Sequence, residues 1–201
     1  MRRDKALRLR WRAFASNRKP PGYLRGLFEI LDRAELAFVR RQVSLSSRPA
    51  VAALASIINA LGNGWLYPLL AAGVLLVFGR QSFVPLFVAT CSVVLAHAIY
   101  PFIKVYLARQ RPMDRDSALR SICLPLDLYS CPSGHAMTAA AAFIPLAQGH
   151  PLFAAELIFA WLMLSWARIA AAHHYPSDLL AGAAIGILID VANASFWHRV
   201  M

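Results

Sequence analysis

An all-α, integral membrane helical bundle is the fold this sequence predicts, with about five to six membrane segments behind an N-terminal interfacial helix. Three observations carry that expectation. Of 201 residues, 59% are hydrophobic and only 15% are charged. The apolar residues come in long runs, as spans of ~20 residues require, rather than in the pattern of a soluble core. Polar and charged residues gather where those runs end. The sharpest case is Arg168 to Asp178, R-I-A-A-A-H-H-Y-P-S-D, which sets a cation, two histidines and a carboxylate at the end of an apolar segment.

The chain divides into a basic tail (1–23), an amphipathic helix (24–47) and a membrane-embedded domain (48–201). Net charge is +11, and residues 1–25 hold nine Lys or Arg against one acid, Asp4. Such a tail is either solvated or in contact with anionic headgroups. No nucleic-acid partner is predicted, because no fold with an aromatic and basic signature follows it. Nor does the tail resemble a secretory signal, lacking an uninterrupted apolar core and cleavage site. In residues 24–43, Leu24, Leu27, Phe28, Leu31, Leu36 and Phe38 form a rough helical stripe. Seven charged residues in the same stretch are too many for a span, so a helix lying in the interface is expected.

Residues 48–61 and 65–79 flank Gly62-Asn63-Gly64 and are each short for a span, so together they predict one bent crossing. A tight turn at 80–82 leads to a long span at 83–107, expected to bend near Pro101. Residues 108–134 form one substantial polar loop, and spans follow at about 135–149, 152–172 and 178–197. Gly182 and Gly186 form a small-xxx-small pair suited to close helix packing or to ordinary membrane-helix glycine usage. Cys91 reads as a small hydrophobe, and Cys123 and Cys131 match no zinc spacing.

Three stretches carry groups with chemistry. Lys104 and Arg111, in K-V-Y-L-A-R-Q-R-P, stand seven residues apart and share a helical face. Pro132-Ser133-Gly134-His135 precedes an Ala-rich helix, where free N–H groups and the positive dipole end suit a phosphate. The third is Arg168 to Asp178, with His174 between them. Taken singly, each has a plainer explanation: snorkelling cations, a serine cap, a helix end with interfacial polar groups. Alternating crossings place all three on one membrane face. Together they supply three cations, Lys104, Arg111 and Arg168; two imidazoles, His135 and His174; and the carboxylate of Asp178. That is an inventory for phosphoryl transfer with no metal and no cofactor.

The three motifs, K-x6-R-P, P-S-G-H and R-x5-H-x3-D, in this order and spacing, resemble the type 2 phosphatidic acid phosphatase (PAP2) family. That family is related to vanadium haloperoxidases and bacterial acid phosphatases, and the resemblance covers roughly residues 60–197. It implies an all-helical fold and metal-independent hydrolysis of phosphate monoesters or diphosphates through a phosphohistidine. On that pattern His174 is the nucleophile, oriented by Asp178, and His135 is the general acid. Lys104, Arg111, Arg168, Ser133 and the Gly134 amide hold the phosphate. Ala167 stands where the family usually has Ser, and the family's usual first membrane span is not evident. His173, beside the nucleophile, reads as an interfacial bystander.

A site at a membrane surface suggests a lipid phosphate partner: polyprenyl phosphate or diphosphate, phosphatidylglycerophosphate or phosphatidic acid. A lipid-linked phosphotransferase and a non-catalytic lipid-binding protein are the competing classes. The expected location is a bacterial inner membrane. With five crossings the basic tail and the catalytic loop share a side, which the positive-inside rule makes cytoplasmic. A separate crossing by 48–61 would put the site on the opposite side. The cytoplasmic arrangement predicts free thiols at Cys123 and Cys131 when native membranes are labelled with a thiol reagent; a disulfide between them would overturn it.

Overall fold

The computed structural model describes residues 19–200; the basic tail up to residue 18 lies outside them. Every regular element among the described residues is helical. We number the α-helices α1 (Gly22–Leu45), α2 (Pro49–Ala60), α3 (Leu66–Phe78), α4 (Phe83–Leu107), α5 (Pro112–Arg115), α6 (Gly134–Gly149), α7 (Ala154–Ala170) and α8 (Pro176–Val200). The predicted helices are all present, one with its boundaries unmoved (83–107) and the others shifted by at most three residues.

Three stretches of the described residues are long and apolar enough to cross a membrane: Pro49–Arg115, Pro151–Ala170 and Pro176–Phe196. The first is 67 residues long and contains α2, α3 and α4. α6 is not among them. It has 16 residues, and its run of alanines is buried between α4, α7 and α8. Alanine suits that central place because a small side chain lets neighbouring backbones close in. The seam with α8 is closest. A Cβ on Gly182 would lie 2.5 Å from the Ser133 carbonyl oxygen, and one on Gly186 would lie 2.4 Å from that of Met137. The pair therefore has a specific packing role.

α2 and α3 form one bent segment, as expected. They join through a π-helical turn, Leu61–Trp65, in which Gly64 takes φ 141°, open to glycine and costly for other residues. Two other residues, Ala108 (φ 44°) and Ala172 (φ 55°), enter the left-handed region without being glycine. They end α4 and follow α7, immediately before Arg109 and His173. Strain of this kind persists where the surrounding packing over-determines the backbone.

α1 departs from the expected pattern. Its inward face carries Phe28, Asp32 and Val39, whereas Leu27, Ile30 and Phe38 are exposed. The buried face thus includes an acid, because it meets the cation-rich end of the bundle rather than an apolar groove. α1 packs on α7 and α5. Away from that end, Asp190 of α8 is buried with Ser92 and Asn193, a small polar cluster joining α4 to α8.

Candidate active site

Loops at one end of the bundle bring the three chemical stretches together. The Met113 amide donates to the Ala172 carbonyl at 3.2 Å, and Arg111 Nη1 donates to the His173 carbonyl at 2.7 Å. The Ser133 amide donates to the Asp178 carbonyl at 2.9 Å. The first motif is thereby tied to the third, and the second to the third.

Lys104, Arg111 and Arg168 are all buried here. Three cations in one desolvated place repel, and the fold answers with partners. Asp127, from the loop, accepts from Lys104 Nζ through both oxygens at 2.8 Å and also from Arg111 Nη2. Burial pushes the Asp127 carboxyl up, but Lys104 and Arg111 outweigh it and hold it below the ordinary range. Arg168 Nη1 donates to Asn59 Oδ1 at 2.6 Å, and Asn59 is itself fixed by donating to the carbonyls of Ala55 and Ala167 at 2.8 and 3.0 Å. Ala167, where the family usually has Ser, packs against Ala55 and Ala170.

His174 is buried, 1% exposed at the side chain, on the turn between α7 and α8. Burial, then the charges of Arg111, Lys104 and Arg168, hold its imidazole well below the ordinary range, so it is neutral at neutral pH. A neutral ring has the lone pair that a nucleophile needs. Its Nδ1 lies 3.8 Å from Asp178 Oδ2, too far for a hydrogen bond. The expected direct hold of Asp178 on the His174 tautomer is therefore absent from this geometry. Asp178 is instead occupied: Oδ2 accepts from the Tyr175 amide at 2.8 Å, and Oδ1 accepts from Arg109 Nη1 at 2.6 Å.

Arg109 is the hub that connects α1 to this carboxylate. It donates to Asp32 Oδ1 from Nε and Nη2, at 3.0 and 2.8 Å, and to Glu35 at 3.3 Å. Its guanidinium lies over the rings of Tyr175, 4.3 Å from the centroid, and Phe28, 5.1 Å from the centroid. Arg115 reaches Asp32 at 2.6 Å, and Glu35 accepts from the amide and hydroxyl of Ser177 at 3.0 and 2.8 Å.

His135 opens α6 and faces the π-helical turn. Its Nε2 lies 2.9 Å from Asn63 Oδ1. The turn comes this close because residue 62 is glycine; a Cβ there would meet Leu164 at 2.7 Å and the His135 ring at 3.2 Å. Ser133 is buried and caps α6, its hydroxyl accepting from the Ala136 amide at 3.5 Å. A Cβ on Gly134 would reach only ordinary contact with Tyr100, at 3.4 Å, so packing alone does not demand a glycine there.

His173 is not the interfacial bystander that its position suggested. It is fully buried, and its Nε2 lies 2.9 Å from the Cys123 carbonyl and 2.8 Å from Ser121 Oγ, pinning the 116–131 loop over the site. Burial, then Arg168 and Arg111, push its imidazole down to about 3 from 6.5. Unfolding releases the ring to bind a proton more readily, so its contribution is complete above about 6.5 and is lost as pH falls towards about 3. Thermal unfolding in detergent should show a midpoint that falls over this window. His173→Phe should flatten that slope, and an unchanged slope would remove His173 as its cause.

Asp127, Arg109, Asn59, Asn63 and the acids of α1 were missed by sequence reasoning. One signal was available: Phe28, Asp32, Glu35 and Val39 follow helical spacing, so the acids share a face with two apolar residues. Asn59 and Asn63 stand four apart, two amides on one face of an apolar segment. Asp127 carries no such pattern. Among the described residues no cluster of three or more His, Cys, Asp or Glu is arranged to hold a metal.

Comparison with known proteins bears on this arrangement. The family model described as the PAP2 superfamily matches residues 84–200. Decaprenylphosphoryl-5-phosphoribose phosphatase of Mycobacterium tuberculosis is 35% identical over 163 residues, covering 78% of this chain and 87% of its own. Among solved structures, Aquifex aeolicus LpxE superposes with TM-score 0.58 at 25% identity, over 85% of this chain and 93% of that one. A transmembrane PAP2-type phosphatidylglycerolphosphate phosphatase from Bacillus subtilis superposes with TM-score 0.61 at 21% identity, over 89% and 96%, a likeness of fold.

Proposed function

The chain belongs to the PAP2 superfamily, and on that premise we propose that it is a membrane lipid phosphatase acting through a phosphohistidine on His174. The observation that carries the reading is the meeting of three buried cations and two histidines, from three distant stretches, at one end of an apolar bundle. Lys104, Arg111 and Arg168 neutralise the phosphoryl oxygens, with Asp127 giving way to the substrate. Ser133 and the Gly134 amide complete the cradle at the start of α6.

His174 Nε2, the ring nitrogen away from Asp178, attacks phosphorus. The bond from phosphorus to the leaving oxygen breaks, its electron pair stays on that oxygen, and His135 delivers a proton there. Burial, then the charges of Arg168 and Lys104, hold that imidazole well below the ordinary range before substrate binds, so it takes up this proton as the phosphate enters and offsets those cations. His135, now neutral, takes a proton from water as the water attacks the phosphohistidine. The phosphorus–nitrogen bond breaks, His174 returns neutral, and inorganic phosphate leaves. Asp178, held by Arg109, faces the charge that develops on His174 during the transfer.

The substrate class is a phosphate or diphosphate on a lipid, drawn from polyprenyl phosphates and diphosphates, phosphatidylglycerophosphate and phosphatidic acid. The isoprenoid-linked phosphosugar in the mycobacterial relative's name joins that panel. The test is phosphate release from it by the purified chain in detergent with EDTA present. Release from one lipid class is the expected result. Silence across the panel from folded protein would turn the reading towards lipid binding without catalysis.

A further inference from the structure

A cavity of about 300 Å³ opens beside His135, between the π-helical turn and α4. It lies on the side of the site from which His135 would protonate a leaving oxygen, and none of the functions assigned above uses Tyr67, His97 or Thr138 of its lining. Tyr100, Asn63 and Asp127 line it as well and join it to Gly134, His135 and Lys104 of the site. We propose that this cavity is the leaving-group subsite, and that it selects a substrate whose phosphate is a monoester on an uncharged, hydroxyl-bearing unit such as a glycosyl or glyceryl group. The proposal rests on the phosphatase reading and narrows it.

Three observations point this way. First, the lining presents hydrogen-bonding edges on aromatic rings. His97 Nδ1 donates to the Val93 carbonyl at 3.0 Å, which leaves its Nε2 as an acceptor. Tyr67 lines the cavity through its ring, its hydroxyl being sealed behind the wall, and Asn63 and Tyr100 add further polar groups to the lining. Rings with polar edges suit a small hydroxylated group, whose faces are apolar and whose rim is not. A bare hydrocarbon would leave those edges unpaired, which is how a polar site rejects an analogue lacking its hydroxyls. Second, His97 is an exposed ionisable residue on a largely apolar span, a place where such residues are costly unless they serve a function. Third, the charge is wrong for an anion. No Lys or Arg lines the cavity, and the one charged side chain there is the carboxylate of Asp127, already holding Lys104 and Arg111. A diphosphate would place its second phosphate, as leaving group, against that carboxylate.

The experiment compares kcat/KM of the full-length chain in mixed micelles on three kinds of substrate. Phosphatidylglycerophosphate and a polyprenyl-linked pentose 5-phosphate carry hydroxyls next to the scissile ester. Phosphatidic acid and polyprenyl monophosphate do not, and polyprenyl diphosphate carries an anion there. The hydroxylated pair should lead the others by about 10-fold or more. His97→Phe should lower the hydroxylated pair by about 5- to 10-fold, one hydrogen bond's share, and leave phosphatidic acid within about 2-fold. Asp127→Asn should raise the diphosphate relative to the monoesters. A diphosphate preferred by the unmodified chain, or a His97→Phe variant that lowers every substrate alike, would overturn the proposal. Release that survives His174→Ala, or none from any lipid, would instead sink the phosphatase reading on which it rests.

Discussion

His174→Ala is expected to lose phosphate release by on the order of 10⁴-fold or more, because on the proposed mechanism it removes the atom that receives the phosphoryl group. The loss should fall on kcat. Lys104, Arg111 and Arg168 are untouched by the substitution, and product phosphate should inhibit substrate binding as before. The unmodified chain, quenched in alkali during turnover with labelled substrate, should carry label in an acid-labile, alkali-stable bond, and the variant should carry none. His174→Asn, closer in shape, guards against a folding defect. Activity within tenfold of the unmodified chain in either variant would falsify the assignment. The pH profile gives an independent check. Since burial and three cations hold the His174 imidazole well below its ordinary value, the attacking form persists under mild acid. The acid limb of kcat should therefore lie below ~6.5, the ordinary imidazole value.

Arg109→Gln has the second largest expected effect, on stability and turnover together. Arg109 is 1% exposed and bridges Asp32, 2% exposed, to Asp178, fully buried. Asp32 keeps Arg115 when Arg109 is lost. Asp178 has no other Lys or Arg partner among the described residues. Removing one member of a buried pair costs about 3–5 kcal/mol, since the remaining charge stays desolvated. The thermal midpoint should fall accordingly, and kcat should fall by on the order of 100-fold, because Asp178 no longer faces His174 as a fixed charge. Asp32→Asn should do less on its own. Combined with Arg109→Gln it should add less than its single effect, the sign of a shared network. A stable, fully active Arg109→Gln protein would show that the network is dispensable.

The sequence made the helices and the chemical groups legible, and for the same reason. Long apolar runs set α4, α7 and α8, and the residues at their ends stand out because a membrane tolerates few charges. The Gly182 and Gly186 spacing already indicated where α8 could approach another backbone. The counter-charges were not legible. Asp32 and Arg109 are 77 residues apart, and Asp127 lies in a loop whose path no local pattern dictates. An acid on an amphipathic helix reads as a solvated residue until its partner is known. The same holds for His173, which looked interfacial because it adjoins a turn, and is buried because a loop folds over that turn.

The Arg109 network also has a consequence for the order in which the protein is built. Its members stand at positions 32, 109 and 178, in α1, in the loop after α4 and in α8. The Gly182 and Gly186 seam likewise waits for the last helix to settle against α6. A nascent chain emerging from the ribosome carries Lys104, Arg109 and Arg111 long before it carries His174 and Asp178. On the proposed mechanism catalytic competence thus waits for α8, and a chain cut short before residue 176 lacks both Asp178 and the Gly182 and Gly186 seam.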